Sequence, residues 1–472
     1  MEGTWLSLLP FLVIIPLAIW LKEILPGLVI GLIIGAFCLE RSVLPTIERA
    51  VATLLKAISD LEHMKVVAFL YLFGSLIGMI QITGGIKGFV QWISEKLHSK
   101  RRLLLFIWLT VPFTFFTPMF RIMLLSPVMK SILGKFRIDR RRMAYMIDVS
   151  TEPIIVLLPA ATAFVGFMMS VVAGALEQNG IHKSAYHLFL ASLPYNFFAI
   201  IALFVGLMTT FMNVRIGRNE KKREREKEKT NQFHQLGLRK ELALVTGEPL
   251  HLFFPLFLVL VLTFFFFWYS GTKNGAATFF DAFSRADATL AMLMALFVTI
   301  IATAVFYLIR RQPLYELIYH FFDGGNQLMA PIGMLLLVWA VSLTADELGF
   351  ATYISSTFGT WLPKEVVPAA VFVIGSFVSY FIGTSWGTWG IFMPLGVTLA
   401  AATGAPLAMT IGAVFASGTF GAFASPLGDT TITTASVMDL DLMSYAKYKL
   451  RISLLCGILS VIAYLIAPIF FS

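Results

Sequence analysis

Apolar runs of roughly the length that carries a helix across about 30 Å of hydrocarbon recur along this chain, and no segment alternates with the two-residue period of a membrane barrel strand. Uninterrupted runs near 4–21, 24–40, 66–86 and 188–212 fill the first half, and runs near 251–269, 289–309, 327–345 and 451–471 the second. Between them lie apolar stretches that polar residues break. In 103–133 the interruptions are Pro112, Pro118 and Arg121, and 366–398 carries Gly383-Thr384-Ser385-Trp386-Gly387-Thr388 midway along its length. The helix predicted over 143–173 is broken at Asp148-Val149-Ser150-Thr151-Glu152-Pro153, and that over 406–436 at Ser425-Pro426-Leu427-Gly428-Asp429-Thr430-Thr431. An ionisable residue inside a span is costly and points to function. Irregular backbone at that depth survives only where protein or a cavity surrounds it.

The order of elements is the same in both halves: three spans, a re-entrant hairpin, a broken helix and a span. Each unit then crosses an odd number of times, so the second inserts upside down relative to the first. The expected fold is an all-α membrane protein of two inverted-topology repeats, 1–212 and 251–472, with about ten transmembrane helices plus two hairpins. Hairpin one is drawn as a turn at Thr117-Pro118 because a single crossing would split two basic clusters between opposite sides of the membrane. Residues 213–250, with the run Glu220 to Lys229, form a charged cytoplasmic linker. Lys and Arg number 26 in the predicted inside loops, Lys447, Lys449 and Arg451 among them, against 8 outside, which places both termini extracytoplasmic.

Composition agrees with this pattern. Hydrophobic residues make up 58% of the chain and charged ones 13%, with a mean hydropathy of +0.82, far from a soluble domain. A multi-pass protein of the cell membrane in contact with lipid is expected, and the net charge of +9 reflects cytoplasmic loops rather than nucleic-acid binding. The first apolar run follows a Glu with no basic segment before it, so a cleavable leader is not expected. Cys38 and Cys456 lie in separate spans and offer neither a disulfide framework nor metal-ligand spacing. No cofactor is implied. An enzyme is not expected either, because no His/Cys metal set or nucleophile–base spacing is present.

Matching breaks in two halves point to the central site of a secondary transporter. A cation there needs a carboxylate, hydroxyls and the carbonyls that a broken helix frees. Asp429 with Ser425, Thr430 and Thr431 supplies such a set, as does Asp148 with Ser150 and Thr151; Thr384 and Ser385 stand at the tip of hairpin two. Arg121, a permanent cation in an apolar stretch, must face protein. It either pairs with Glu152 or clamps a substrate carboxylate.

The segments GTSWGTWGIFMPLG (383–396), SPLGDTT (425–431) and AYMID (144–148), and the stretch from Met329 to Gly349 with Val338-Trp339-Ala340 and Leu348-Gly349, resemble the NhaC-type Na+/H+ antiporter family. The resemblance runs from about Val66 to Tyr448. It implies a scaffold and a moving transport domain, usually in a homodimer, and exchange of cations for protons or, in some relatives, of organic anions such as malate and lactate. Where the family has FFDDYFN this chain has Phe115 to Arg121, losing both acids. Where it has DSTAAP, Asp148 to Pro153 gains Glu152. Where it has GDHCSPISDTT, Gly421 to Thr431 lacks the first Asp and the His.

Two functions follow. One is a cation/proton antiporter in which Na+ binds transiently at Asp429 and Asp148; a carboxylate taken out of water holds its proton more tightly, so proton and metal ion compete for it. The other is a coupled transporter or exchanger of small carboxylates or amino acids, with Arg121 reading the substrate.

Overall fold

The computed structural model describes residues 4–21, 23–83, 100–111, 118, 121–122, 125–126, 129, 139–159, 162–211, 248–276, 278, 282, 286–358 and 362–470. The turn expected at Thr117-Pro118, apart from Pro118, and the linker 213–250, apart from its last three residues, lie outside them. Among the described residues all regular structure is helical, as it must be where lipid offers no partner to a backbone amide.

In the first half the helices are α1 (Leu9–Leu21), α2 (Leu25–Glu40), α3 (Val43–Ser59), α4 (Leu61–Ile82), α5 (Lys100–Leu109), α6 (Arg140–Val149), α7 (Glu152–Ile155), α8 (Ala163–Gln178), α9 (Ala185–Ser192) and α10 (Phe197–Phe211). The second half holds α11 (Leu250–Lys273), α12 (Ala288–Ile309), α13 (Leu314–Asn326), α14 (Met329–Glu347), α15 (Phe350–Phe358), α16 (Val367–Ile382), α17 (Ser385–Thr403), α18 (Leu407–Ala424), α19 (Asp429–Val437) and α20 (Leu442–Phe470). Polar caps set several starts: Asp60, Asp139, Thr162 and Asp287 accept the first free amides of α4, α6, α8 and α12.

By length and composition, six helices in the described residues can cross a membrane, or seven if the pair Ala185–Tyr195 and Phe197–Thr210, bent by 45°, is one span. The ten crossings expected from the sequence exceed this count because Trp5–Leu21, Leu25–Glu40 and Ala163–Gln178 are apolar but short, as is Val367–Ile382 in the stretch read as hairpin two.

Three helices, α3, α13 and α15, add to the expected layout. On α3, inside the predicted outside loop, Val43, Leu44, Ile47, Val51 and Leu55 are exposed while Thr46, Ala50, Thr53 and Ala57 are buried. On α13, Tyr315, Ile318, Tyr319 and Phe322 are exposed. Both α3 and α13 leave an apolar face uncovered by the protein, and α13 runs on into α14 within the candidate span Leu314–Glu347.

The centre of the molecule is α18 with α19: 89% of the apolar window in Leu407–Val437 is buried, against 33% in Leu250–Lys273 and in Ala288–Ile309. Because lipid is as apolar as leucine, helices here associate through close backbone approach. Gly375 and Gly421 let α16 press on α18 at Ser417 and Ser379, and Gly74 and Gly78 on α4 meet Gly324 and the His320 carbonyl on α13. The halves are also tied by Lys65–Asp287 at 2.9 Å and Arg49–Glu347 at 2.5 Å.

Candidate functional site

Both expected breaks are present, and each has a local cause. After Val149 the Ser150 and Thr151 hydroxyls donate back to the Ile147 carbonyl, at 3.0 and 2.6 Å. Such back-bonding offers the chain an alternative to the helical ladder, and Pro153 has no amide to continue it. The second helix ends at Ala424. Ser425 turns extended, its hydroxyl accepts the Leu427 amide at 3.0 Å, and α19 begins at Asp429.

Helices α16 and α17 pack against one another around a turn at Gly383, whose φ of +82° a glycine adopts without strain. This turn sits on the second break, since a Cβ on Gly383 would lie 2.7 Å from the Leu427 Cβ and 2.9 Å from its carbonyl oxygen. At the start of α17 the Ser385 hydroxyl lies 3.5 Å from Glu152 Oε1 and 3.3 Å from the Gly418 carbonyl. The turn therefore touches the segments of both breaks.

Asp148 joins the halves. Its Oδ2 accepts from the Tyr445 hydroxyl and the Lys449 ammonium, each at 2.6 Å, and its Oδ1 accepts from Thr434. Lys449 also donates to Thr431 Oγ1 at 3.0 Å and stands 4.5 Å from the centre of the Phe423 ring. Asp148 and Lys449 are both wholly buried.

Arg121 is buried beside the first break. Its Nε donates to Thr151 at 3.1 Å, one Nη to Thr110 at 3.1 Å, and the other to Ser150 at 2.9 Å and to the Ile107 carbonyl at 2.5 Å. The hydroxyls of Ser150 and Thr151 thus serve the guanidinium. No ion pair joins Arg121 to Glu152 among those described; Glu152 is held by Ser385 instead. Glu152 is buried, and its Oε2 has no hydrogen-bond partner among the described residues, nor does the buried Thr430 hydroxyl. Among the described residues, Lys449, Asp148 and Asp429 are the charges close enough to act on Glu152.

The remaining candidates fall as follows. Asp429 is exposed, at the first turn of α19. Ser425 is buried and caps the break, Thr431 accepts from Lys449, and Thr384 flanks the Gly383 turn.

Three partners of Asp148, namely Thr434, Tyr445 and Lys449, are absent from the sequence-derived candidates. Lys449, which charge counting assigns to an inside loop, lies on α20 instead. A signal was present: Tyr445, Lys449, Ser453, Cys456, Ser460 and Tyr464 recur at helical spacing and are all buried, while Leu454, Leu455, Ile458, Leu459 and Ile462 are exposed. In lipid the apolar face turns outward, so the polar stripe marks the packed side.

The sequence model of the Na+/H+ antiporter family matches residues 154–468. Over 451 residues, spanning 92% of this chain and 85% of the relative, the sequence is 24% identical to a protein of Haemophilus influenzae described as uncharacterised. It is 28% identical to the malate-2H+/Na+-lactate antiporter of Bacillus subtilis over 152 residues, which is 29% of this chain and 31% of that protein. It is 27% identical to the arginine/ornithine antiporter ArcD of Halobacterium salinarum over 150 residues, 30% of each. The fold is that of Neisseria gonorrhoeae MtrF, of a class of antimetabolite efflux pumps, at a TM-score of 0.63 and 12% identity over 91% of this chain and 86% of that one. The YdaH transporter of Alcanivorax borkumensis shares it at 0.59 and 12%, over 91% and 90%.

Proposed function

The chain belongs to the Na+/H+ antiporter family, and from that premise we propose that it is a secondary active transporter exchanging a cation, Na+ first among candidates, for protons by alternating access. The observation that carries this is the meeting of both helix breaks with the turn of hairpin two. Asp148 bonds across to Thr434, Tyr445 and Lys449, Ser385 faces Glu152, and Gly383 sits on Leu427. Carboxylates of both halves are thereby gathered where one moving element can expose them to either side. Asp429, exposed at the rim of this cluster, receives the entering ion. Two inverted repeats flanking a cytoplasmic linker, both termini outside, a plasma-membrane location and a homodimer belong to the same proposal, supported by the parallel order of elements in the two halves.

A second substrate class is supported by the exposed Asp429 and the Glu152 oxygen unpartnered among the described residues, which suit an organic ammonium as well as a metal ion, and by the relative named as an arginine/ornithine antiporter. Arg121, by contrast, is engaged by protein oxygens in the manner of a structural cation.

Reconstitution in proteoliposomes with an internal pH dye tests the proposal. A Na+ pulse collapses a preset pH gradient in the wild type, and Asp429→Asn abolishes the response. Undiminished exchange in Asp429→Asn overturns the role of that residue. A wild type that answers arginine or ornithine but no inorganic cation overturns the Na+ assignment.

A further inference from the structure

Resting on the exchange proposed above, we infer that the Lys449 ammonium is a built-in counter-cation that keeps Asp148 permanently occupied, and that Glu152 is the carboxylate left to bind and release the travelling ion.

Asp148 has no room for a visitor. One oxygen already holds Tyr445 and Lys449 at 2.6 Å, and the other holds Thr434. Lys449 is equally committed, with Asp148 and Thr431 as acceptors and the Phe423 ring 4.5 Å away. A free cation arriving at Asp148 would have to displace an ammonium tethered to the same fold, which has little translational freedom left to lose and so competes at a high effective concentration. The two charges cancel, and what remains is a closed, neutral joint between the first break and α20.

Glu152 differs in each respect. It is buried, with one oxygen unpartnered among the described residues and the other only 3.5 Å from a serine. Among the described residues, the one cation acting on it, Lys449, is bonded to Asp148, and the other charges acting on it, those of Asp148 and Asp429, are acids. Arg121 is bonded to the Ser150 and Thr151 hydroxyls. A buried ionised carboxylate in that setting is expensive, so Glu152 carries either a proton or a cation. Alternation between those two loads is what an exchanger requires. The gain of Glu152 also fits the loss of the acids expected near hairpin one and before Ser425.

Infrared difference spectroscopy of the full-length protein in liposomes, recorded on acidification, tests this independently of which solute is carried. The wild type shows one band of a buried protonated carboxylic acid. Glu152→Gln removes it and Asp148→Asn leaves it. Lys449→Met adds a second band that disappears in Lys449→Met/Asp148→Asn, while Lys449→Arg, which keeps the counter-charge, adds none. A band that survives Glu152→Gln and vanishes in Asp148→Asn overturns the inference, as does a Lys449→Met spectrum identical to the wild type from protein that remains monodisperse. A wild type with the expected bands but no cation-driven proton flux would leave the closed Lys449–Asp148 joint and the protonatable Glu152 standing and remove the proposed cation exchange instead.

Discussion

Removing either member of the Asp148–Lys449 pair separates a buried ion pair from an ordinary polar contact. Lys449→Met deletes two charge-assisted hydrogen bonds, to Asp148 and Thr431, each worth about 1.5–3 kcal/mol. It also leaves Asp148 with only hydroxyl donors in a site shut off from water. The resulting loss is about 3–5 kcal/mol, the range for stranding one charge of a buried pair. Asp148→Asn strands the ammonium and costs a similar amount. In Lys449→Met/Asp148→Asn no charge is stranded, and most of the loss returns, so the coupling energy of the cycle is about 3 kcal/mol or more. Neutral hydrogen bonds between membrane helices average only about 0.6 kcal/mol, because the denatured chain in a micelle also finds partners. That gap makes the measurement decisive. Unfolding of the purified transporter in mixed micelles, titrated with dodecyl sulfate and followed by tryptophan fluorescence, gives the four free energies. A coupling near about 0.6 kcal/mol would refute a buried charge pair between α6 and α20.

Two substitutions probe the close contacts that position the site. Gly78→Ala places a methyl against the His320 carbonyl, 2.9 Å from the Gly324 Cα; the two backbones must part, and the same unfolding assay is expected to show a loss of about 1–3 kcal/mol, with no loss contradicting the packing. Gly383→Ala combines a left-handed backbone, about 1–2 kcal/mol for an L-residue, with the clash on Leu427. It is expected to lower the exchange rate more than Gly404→Ala, which shares the positive φ but has open space around it; equal rates would detach the hairpin turn from transport.

Much of the helical layout was legible because hydrophobic runs respond to one strong constraint, the thickness of the bilayer. α2 and α12 lie within a residue or so of the stretches read from hydropathy. The breaks after Val149 and Ala424 were legible because proline, glycine and hydroxyl side chains have local reasons to leave a helix. The amphipathic helices α3 and α13 were not, since a window tuned to continuous apolarity passes over a sequence that is apolar on one side only. Lys449 escaped for a related reason: charge counting treats every lysine near a span end as solvated, whereas this one is drawn inward by Asp148, far away in sequence. Asp429 stands at the expected break, but its exposure depends on how α19 leaves that break, which no local pattern encodes. The sequence leaves Arg121 either pairing with Glu152 or clamping a substrate carboxylate, because a buried cation invites an anion; the structure bonds it to the Ser150 and Thr151 hydroxyls of the neighbouring turn and to the Thr110 hydroxyl and Ile107 carbonyl.

The most direct test of the central site is simultaneous recording of cation uptake and proton release in proteoliposomes of the wild type, Asp429→Asn and Glu152→Gln. The wild type is expected to move the two in fixed proportion, and both variants to lose cation-coupled proton movement while remaining folded. Coupled exchange that persists at wild-type rate in both variants would contradict a cation path built on these carboxylates.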